Sequence, residues 1–132
     1  MFAVQFDRFG PPDVLTVGLY PEPHAGPDEV RIIVKTAGVS PVDVALRAGL
    51  SPSGERIPLP HVPGVDAAGV IDEVGTDVTG FAVGDEVFGT VDVSRLGGAS
   101  AEFAMTEAAE AHASAARGPR QGKITLTAYG AW

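Results

Sequence analysis

The 132-residue chain contains no cysteine. That absence removes disulfides, thiolate zinc sites and cysteine nucleophiles together. Basic residues are scarce: 9 Lys plus Arg stand against 17 Asp plus Glu, for a net charge of -8. Such a balance argues against nucleic acid or an anionic membrane as the main partner, although a local basic pocket for a phosphate is compatible with it. Met1 to Asp7 carries neither a basic segment nor a long apolar run. No signal peptide and no membrane span are expected, and a cytoplasmic setting fits. His24, His61 and His112 are too scattered for an HxH or HExxH metal pattern, and they are expected in exposed segments with no metal. There is no GxSxG nucleophile turn. No two glycines are separated by a single residue, so a GxGxxG dinucleotide fingerprint is absent, as is a Walker sequence.

What is present points to strands and turns. The 17 glycines and 11 prolines accompany 45% hydrophobic residues, a composition of turn-rich folded chain rather than disorder. Phe2, Val4 and Phe6 alternate as a strand does, a turn follows at 9–13, and Val14 to Tyr20 reads as a second strand. The prolines of 21–27 exclude a sheet interior. Glu29 to Val39 is the clearest strand, with Val30, Ile32 and Val34 on one face. Ser40-Pro41-Val42-Asp43 then opens a helix of about two turns: Ser40 suits the N-cap, Pro41 the first helical position, Asp43 the positive end of the dipole, and Gly49 the C-terminal cap.

Pro63 to Gly75 lies at the centre of the pattern. Pro63-Gly64 and Gly75 punctuate its ends, and Ala67, Ala68 and Gly69 leave room for another backbone or a ligand to approach. Glu86 to Val91 and Ala101 to Met105 are further strands, separated by a Gly-rich loop. Six or seven short strands with regular turns predict a mainly β domain, a sandwich or a partly open barrel, with one or two short helices. The neighbouring pairs Asp72-Glu73 and Asp85-Glu86 are expected at solvated strand ends. Thr106 to Ala116 is Ala-rich and reads as a helix by propensity, capped by Thr106 and followed by a solvated linker with Arg117, Arg120 and Lys123. Residues 124–132 end the chain on an apolar, aromatic segment.

The order of these motifs resembles the N-terminal, GroES-like catalytic domain of the medium-chain dehydrogenase/reductase superfamily, and within it the zinc-independent quinone oxidoreductase branch. The resemblance rests on Phe6-Asp7-Arg8-Phe9-Gly10 with Pro12-Asp13-Val14-Leu15, on Gly26-Pro27-Asp28-Glu29-Val30 with Ala37-Gly38-Val39, and on Ser40-Pro41-Val42-Asp43 with Arg47-Ala48-Gly49. Pro63-Gly64-Val65-Asp66-Ala67-Ala68-Gly69, Val83-Gly84-Asp85-Glu86-Val87-Phe88-Gly89 and Gly98-Ala99-Ser100-Ala101-Glu102-Phe103 continue it. It covers residues 1–105. The resemblance implies a GroES-like, partly open β-barrel, NADPH as cofactor, and a quinone or activated enone as substrate. By the same resemblance, Ser40, Pro41, Val42, Asp43 and Thr127 face the nicotinamide.

The departures from that family are as informative. Zinc-dependent members place His and Glu where Val65 and Asp66 stand, and a valine has no lone pair to offer a metal. Some quinone reductases place tyrosines where Ala45 and Ser51 stand, so no proton donor is assigned. Residues 106–123 are expected as a diverged helix or linker, and 124–132 as the start of a helix entering a Rossmann domain that this chain lacks. Such a chain, truncated, would be weakly active or inactive alone. An alternative implied by the fold is a non-catalytic binding or assembly module that self-associates through an exposed cleft and the Ala128 to Trp132 end.

Overall fold

The computed structural model describes residues 1–51, 54, 56–91 and 97–107, and the backbone of 111–113 and 125–127. Among these residues there are eight strands and one α-helix: β1 (Phe2–Gln5), β2 (Thr16–Leu19), β3 (Glu29–Gly38), α1 (Pro41–Arg47), β4 (Asp66–Val74), β5 (Glu86–Thr90), β6 (Phe103–Glu107), β7 (Ala111–Ala113) and β8 (Thr125–Thr127). The mainly β architecture expected from the sequence is present. No helix among the described residues is long and apolar enough to cross a membrane.

β3 is the axis of the larger sheet, whose order is β6-β3-β4-β5-β7. β4 runs antiparallel along one edge of β3, from Val30 opposite Val74 to Ala37 opposite Ala67. The other edge is shared. β6 pairs with residues 29–33 and β8 with residues 36–38. Val30, Ile32 and Val34 point into the core, as the period of two requires. Val30 and Ile32 pack with Ile71 and Val87 in one cluster, while Val34 packs with Ala37, Ala67, Val91, Ala99 and Ala104 in another.

The opposite face of β3 carries charge that is not left to water. Arg31 makes a two-pronged bond to Asp72, Nε to Oδ1 at 2.9 Å and Nη2 to Oδ2 at 2.8 Å. Its Nη1 reaches Glu22 at 2.9 Å, and Glu73 lies 3.3 Å from Nε. The guanidinium also stacks 4.7 Å from the centre of the Phe103 ring. Asp72 and Glu73 do lie at the end of β4, but as ion-pair partners of Arg31 rather than as free solvated charges. A planar guanidinium can collect several carboxylates in a way that single-strand periodicity does not reveal.

β1 and β2 form a separate two-stranded hairpin in which Phe2 faces Leu19 and Val4 faces Val17. Its inner face packs through Ala3 and Tyr20 against Val62 and Ala101. A 3-10 turn at Pro12–Val14 takes the start of what reads as a longer second strand.

Two helix expectations are corrected. Thr106 lies inside β6 with its hydroxyl donating to Thr90 O, and residues 111–113 pair with β5 as β7. The Ala-rich stretch has no stripe of large side chains to bury as a helix, while open sheet edges offer it ladder bonds. Likewise, Thr125–Thr127 is a strand on β3 rather than the first turn of a helix. The basic cluster Arg117, Arg120 and Lys123 and the end Ala128 to Trp132 lie outside the described residues.

Candidate functional site

The C-terminal end of β3 delivers the chain into the Ser40-Pro41-Val42-Asp43 turn, and the local sequence fixes that turn tightly. Ser40 is the N-cap of α1, with extended backbone, and Pro41 follows at the first helical position. The Ser40 hydroxyl accepts from Asp43 N at 3.4 Å, and the Ser40 N–H donates to Asp43 Oδ2 at 2.8 Å. This is a capping box with Asp in the role usually filled by Glu or Gln. The Ser40 hydroxyl also donates to the same carboxylate at 3.1 Å.

The second carboxylate oxygen of Asp43 reaches across the sequence. Asp43 Oδ1 accepts from Gly64 N at 2.8 Å and from Val65 N at 3.1 Å. Asp43 is only 6% exposed, and the charge that burial would otherwise penalise is met by four donors. Gly64 can take this position because its φ is +112°, and a Cβ there would sit 2.8 Å from both Ala99 N and Ser100 N. The 97–100 segment closes on the same turn: Gly98 N donates to Val62 O, Ala99 N to Gly64 O and Ser100 N to Pro63 O. Three stretches distant in sequence, 40–43, 62–65 and 98–100, thus form one rigid junction.

Each expected site residue can now be placed. Ser40 and Asp43 turn inward and hold the junction. Pro41 and Val42 are on the surface, Val42 at 37% exposure, with Val39 beside them similarly open. Strand β8 lies along the end of β3 that leads into the turn, with Thr127 opposite Thr36. At Val65 and Asp66, the first has only its backbone engaged with Asp43, and the second begins β4. No group of three metal-ligating side chains occurs among the described residues.

One residue was misjudged from the sequence. His61 is fully buried, not exposed: its backbone pairs with Phe6, N to O at 2.9 Å one way and 3.0 Å the other, and its ring lies 5.4 Å from the Phe6 ring. Neither ring nitrogen has a hydrogen-bond partner among the described residues. Burial pushes its pKa below the ordinary value, and the nearby Asp43 carboxylate pulls weakly the other way. The only hint in the sequence was its place between two prolines in an apolar stretch.

Two cavities accompany this arrangement. One of about 80 Å³ lies between the hairpin and α1, lined by Val4, Leu15, Gly38, Val39, Asp43 and Val44 among others. A larger one of about 260 Å³, bounded by Tyr20, Pro21, Phe103, Met105 and Thr106, shares no residue with the Ser40–Asp43 turn. Both are smaller than the roughly 300–1,000 Å³ typical of enclosed ligand sites. Neither Pro41 nor Val42 lines either of these two cavities.

Comparison with known proteins follows the same line. The alcohol dehydrogenase GroES-like domain family matches residues 26–118. A quinone oxidoreductase of Lama guanicoe is 40% identical over 110 residues, covering 80% of this chain and 31% of that protein. A 2-methylene-furan-3-one reductase of Solanum lycopersicum is 37% identical over 99 residues, covering 74% of this chain and 25% of that protein. Among solved structures, Escherichia coli quinone oxidoreductase complexed with NADPH superposes with a TM-score of 0.75 at 25% identity, over 86% of this chain and 33% of that one. The chain spans about a third or less of the length of these proteins. It belongs to the alcohol dehydrogenase GroES-like domain family of the medium-chain dehydrogenase/reductase superfamily.

Proposed function

We propose that this domain supplies the substrate-side wall of an NADPH-dependent, zinc-independent oxidoreductase acting on quinones or activated enones. The observation that carries the reading is the Ser40–Asp43 junction. It fixes an outward-facing Pro41-Val42 step by tying it to Gly64 and Val65 through one buried carboxylate. An apolar step of that kind suits the flat face of a nicotinamide ring and keeps water from it. In this reading Pro41 and Val42 touch the ring. Ser40 and Asp43 are positioning residues, and Thr127 on β8 joins the wall by the family resemblance alone. NADPH, when bound, supplies the hydride; the chain's own residues orient the ring and exclude solvent. Recognition of the pyrophosphate falls to a glycine-rich turn outside these residues, since the sequence holds no such fingerprint.

Val65 and Asp66 support the zinc-free part of the proposal, because neither the valine side chain nor a cysteine-free chain offers a soft-ligand metal site. The similar proteins named as quinone and furanone reductases support the substrate class. The test is NADPH oxidation followed at its absorbance maximum, with a quinone and with an alkenone as acceptor, in the presence of a strong chelator. The chain is assayed alone and mixed with the nucleotide-binding domain of a similar reductase. The expected result is little turnover alone and chelator-insensitive turnover in the mixture. Activity that a chelator abolishes would refute the zinc-free reading. A mixture in which NADPH is bound but neither acceptor is reduced would favour a non-catalytic binding module.

A further inference from the structure

Residues 61–65 form a strap in which every member is tied to another part of the fold. His61 exchanges two backbone bonds with Phe6, just beyond β1, at 2.9 and 3.0 Å. Val62 O, Pro63 O and Gly64 O accept from Gly98, Ser100 and Ala99, and the amides of Gly64 and Val65 donate to Asp43. The chain on the other side of His61 is held differently. Pro58, Leu59 and Pro60 are exposed, and residues 56–60 make no backbone–backbone hydrogen bond among the described residues. The Tyr20 hydroxyl touches Pro60 O at a long 3.4 Å. His61 is therefore the first fastened residue of the strap, beside a loosely held loop.

The His61 ring is fully buried against Phe6, with no hydrogen-bond partner for either nitrogen among the described residues. A neutral imidazole tolerates that place; an imidazolium would lose the hydration of a full charge. The groups around it offer little in return. From α1 comes the Asp43 carboxylate, already engaged by four donors. From the hairpin come Phe6 and Tyr20, and burial raises the Tyr20 pKa, so the phenol carries no charge at or below neutral pH. Asp7 and Arg8, next along the chain, are exposed and pair with one another at 3.5 Å. Segment 98–101 brings no ionisable side chain, and Arg56 is on the exposed loop. A charged ring is satisfied by water, which it reaches when the strap peels back from Phe6.

We propose that His61 is an acid-operated latch: its protonation releases the strap from Phe6 and slackens the Gly64–Asp43 tie into which the strap leads. The opened form takes up the proton at the ordinary histidine value of about 6.5, so opening is favoured as pH falls below that value and suppressed above it. Because Gly64 and Val65 hold Asp43, the latch also regulates the Pro41-Val42 wall. That last consequence rests on the proposed function; the latch itself does not.

The test is amide hydrogen exchange of the whole chain, read by nitrogen-15 correlation spectra without nucleotide, at pH 7 and 5.5 and in the presence of low, non-denaturing urea. The amides of Phe6, His61, Gly64 and Gly98 report on the strap, and Ile32 in β3 on global unfolding. The expected result is strap protection lower than that of Ile32, falling by about fivefold or more from pH 7 to 5.5 and insensitive to urea, while Ile32 responds to urea. In His61→Phe and His61→Gln, neither of which can titrate, the pH-dependent fall is lost; either variant that folds is sufficient. Strap protection that does not change with pH would overturn the proposal. So would strap amides that follow Ile32 in urea, which would mean that only global unfolding exposes the ring, or a fall that persists in a folded variant. Since no nucleotide is present, the latch can fail while the proposed function stands, and the reverse.

Discussion

The Asp43 carboxylate ties the start of α1 to the Gly64 turn with four hydrogen bonds, to Ser40 N, Ser40 Oγ, Gly64 N and Val65 N. Asp43→Asn keeps the shape but turns an amide donor toward a site filled with donors. Hydrogen bonds to a charged acceptor are worth about 1.5–3 kcal/mol each, and they do not sum freely. We expect Asp43→Asn to lower unfolding stability by about 2–4 kcal/mol, measured by urea denaturation. A change within experimental error would show that the junction is held by other means. His61 gives a pH-dependent counterpart. Burial holds its folded pKa below the ordinary value near 6.5. Between that lowered value and about 6.5 the unfolded chain binds the additional proton, so stability falls as pH falls through this window and is full above it. His61→Phe removes the titrating group from a site already lined by Phe6. The stability difference between the two proteins should shift in favour of the variant as pH drops from about 7 toward 5. A difference that is flat with pH would contradict the assignment.

At the scale of elements, β3 and its neighbours decide the fold. Gly69 on β4 faces β3 so closely that a Cβ would run into the Ile33 carbonyl oxygen. Gly69→Ala must push the two strands apart, and we expect it to lower stability by about 2–3 kcal/mol or more. Thermal melts compared with those of Gly80→Ala would check this. Space is open around Gly80, whose penalty comes from its φ of +86° alone. The close approach at Gly69 was legible in the sequence as a small-residue run, and β3 was legible from the alternation of Val30, Ile32 and Val34. The α1 boundaries were legible because capping is local: Ser40, Pro41 and Asp43 lie within four positions. The misjudged pieces all depend on partners far away. β7 and β8 are strands because β5 and β3 offer edges, which outweighs the helix propensity of alanine. Asp72 is bound because Arg31 lies across the sheet, 41 residues away. The inward turn of Asp43 needed Gly64, 21 residues on.

For the whole molecule, the arrangement separates two surfaces. The exposed Pro41-Val42 step lies on one of them, proposed to face a cofactor. The β1–β2 hairpin presents another, with its own apolar face and open edge. The buried junction at 40–43, 62–65 and 98–100 is distinct from both, so substitutions there should disturb stability and cofactor contact together. The claim at the centre of this account is that the Ser40–Asp43 junction presents the nicotinamide-facing wall. Its most direct test is a nitrogen-15 correlation spectrum of the chain titrated with NADPH to millimolar concentration. The account predicts weak binding, with shifts concentrated at the backbone amides of Val39, Ser40, Val42, Gly64 and Val65. A titration that leaves those amides unmoved, or that moves only residues around Tyr20, Phe103 and Met105, would contradict it.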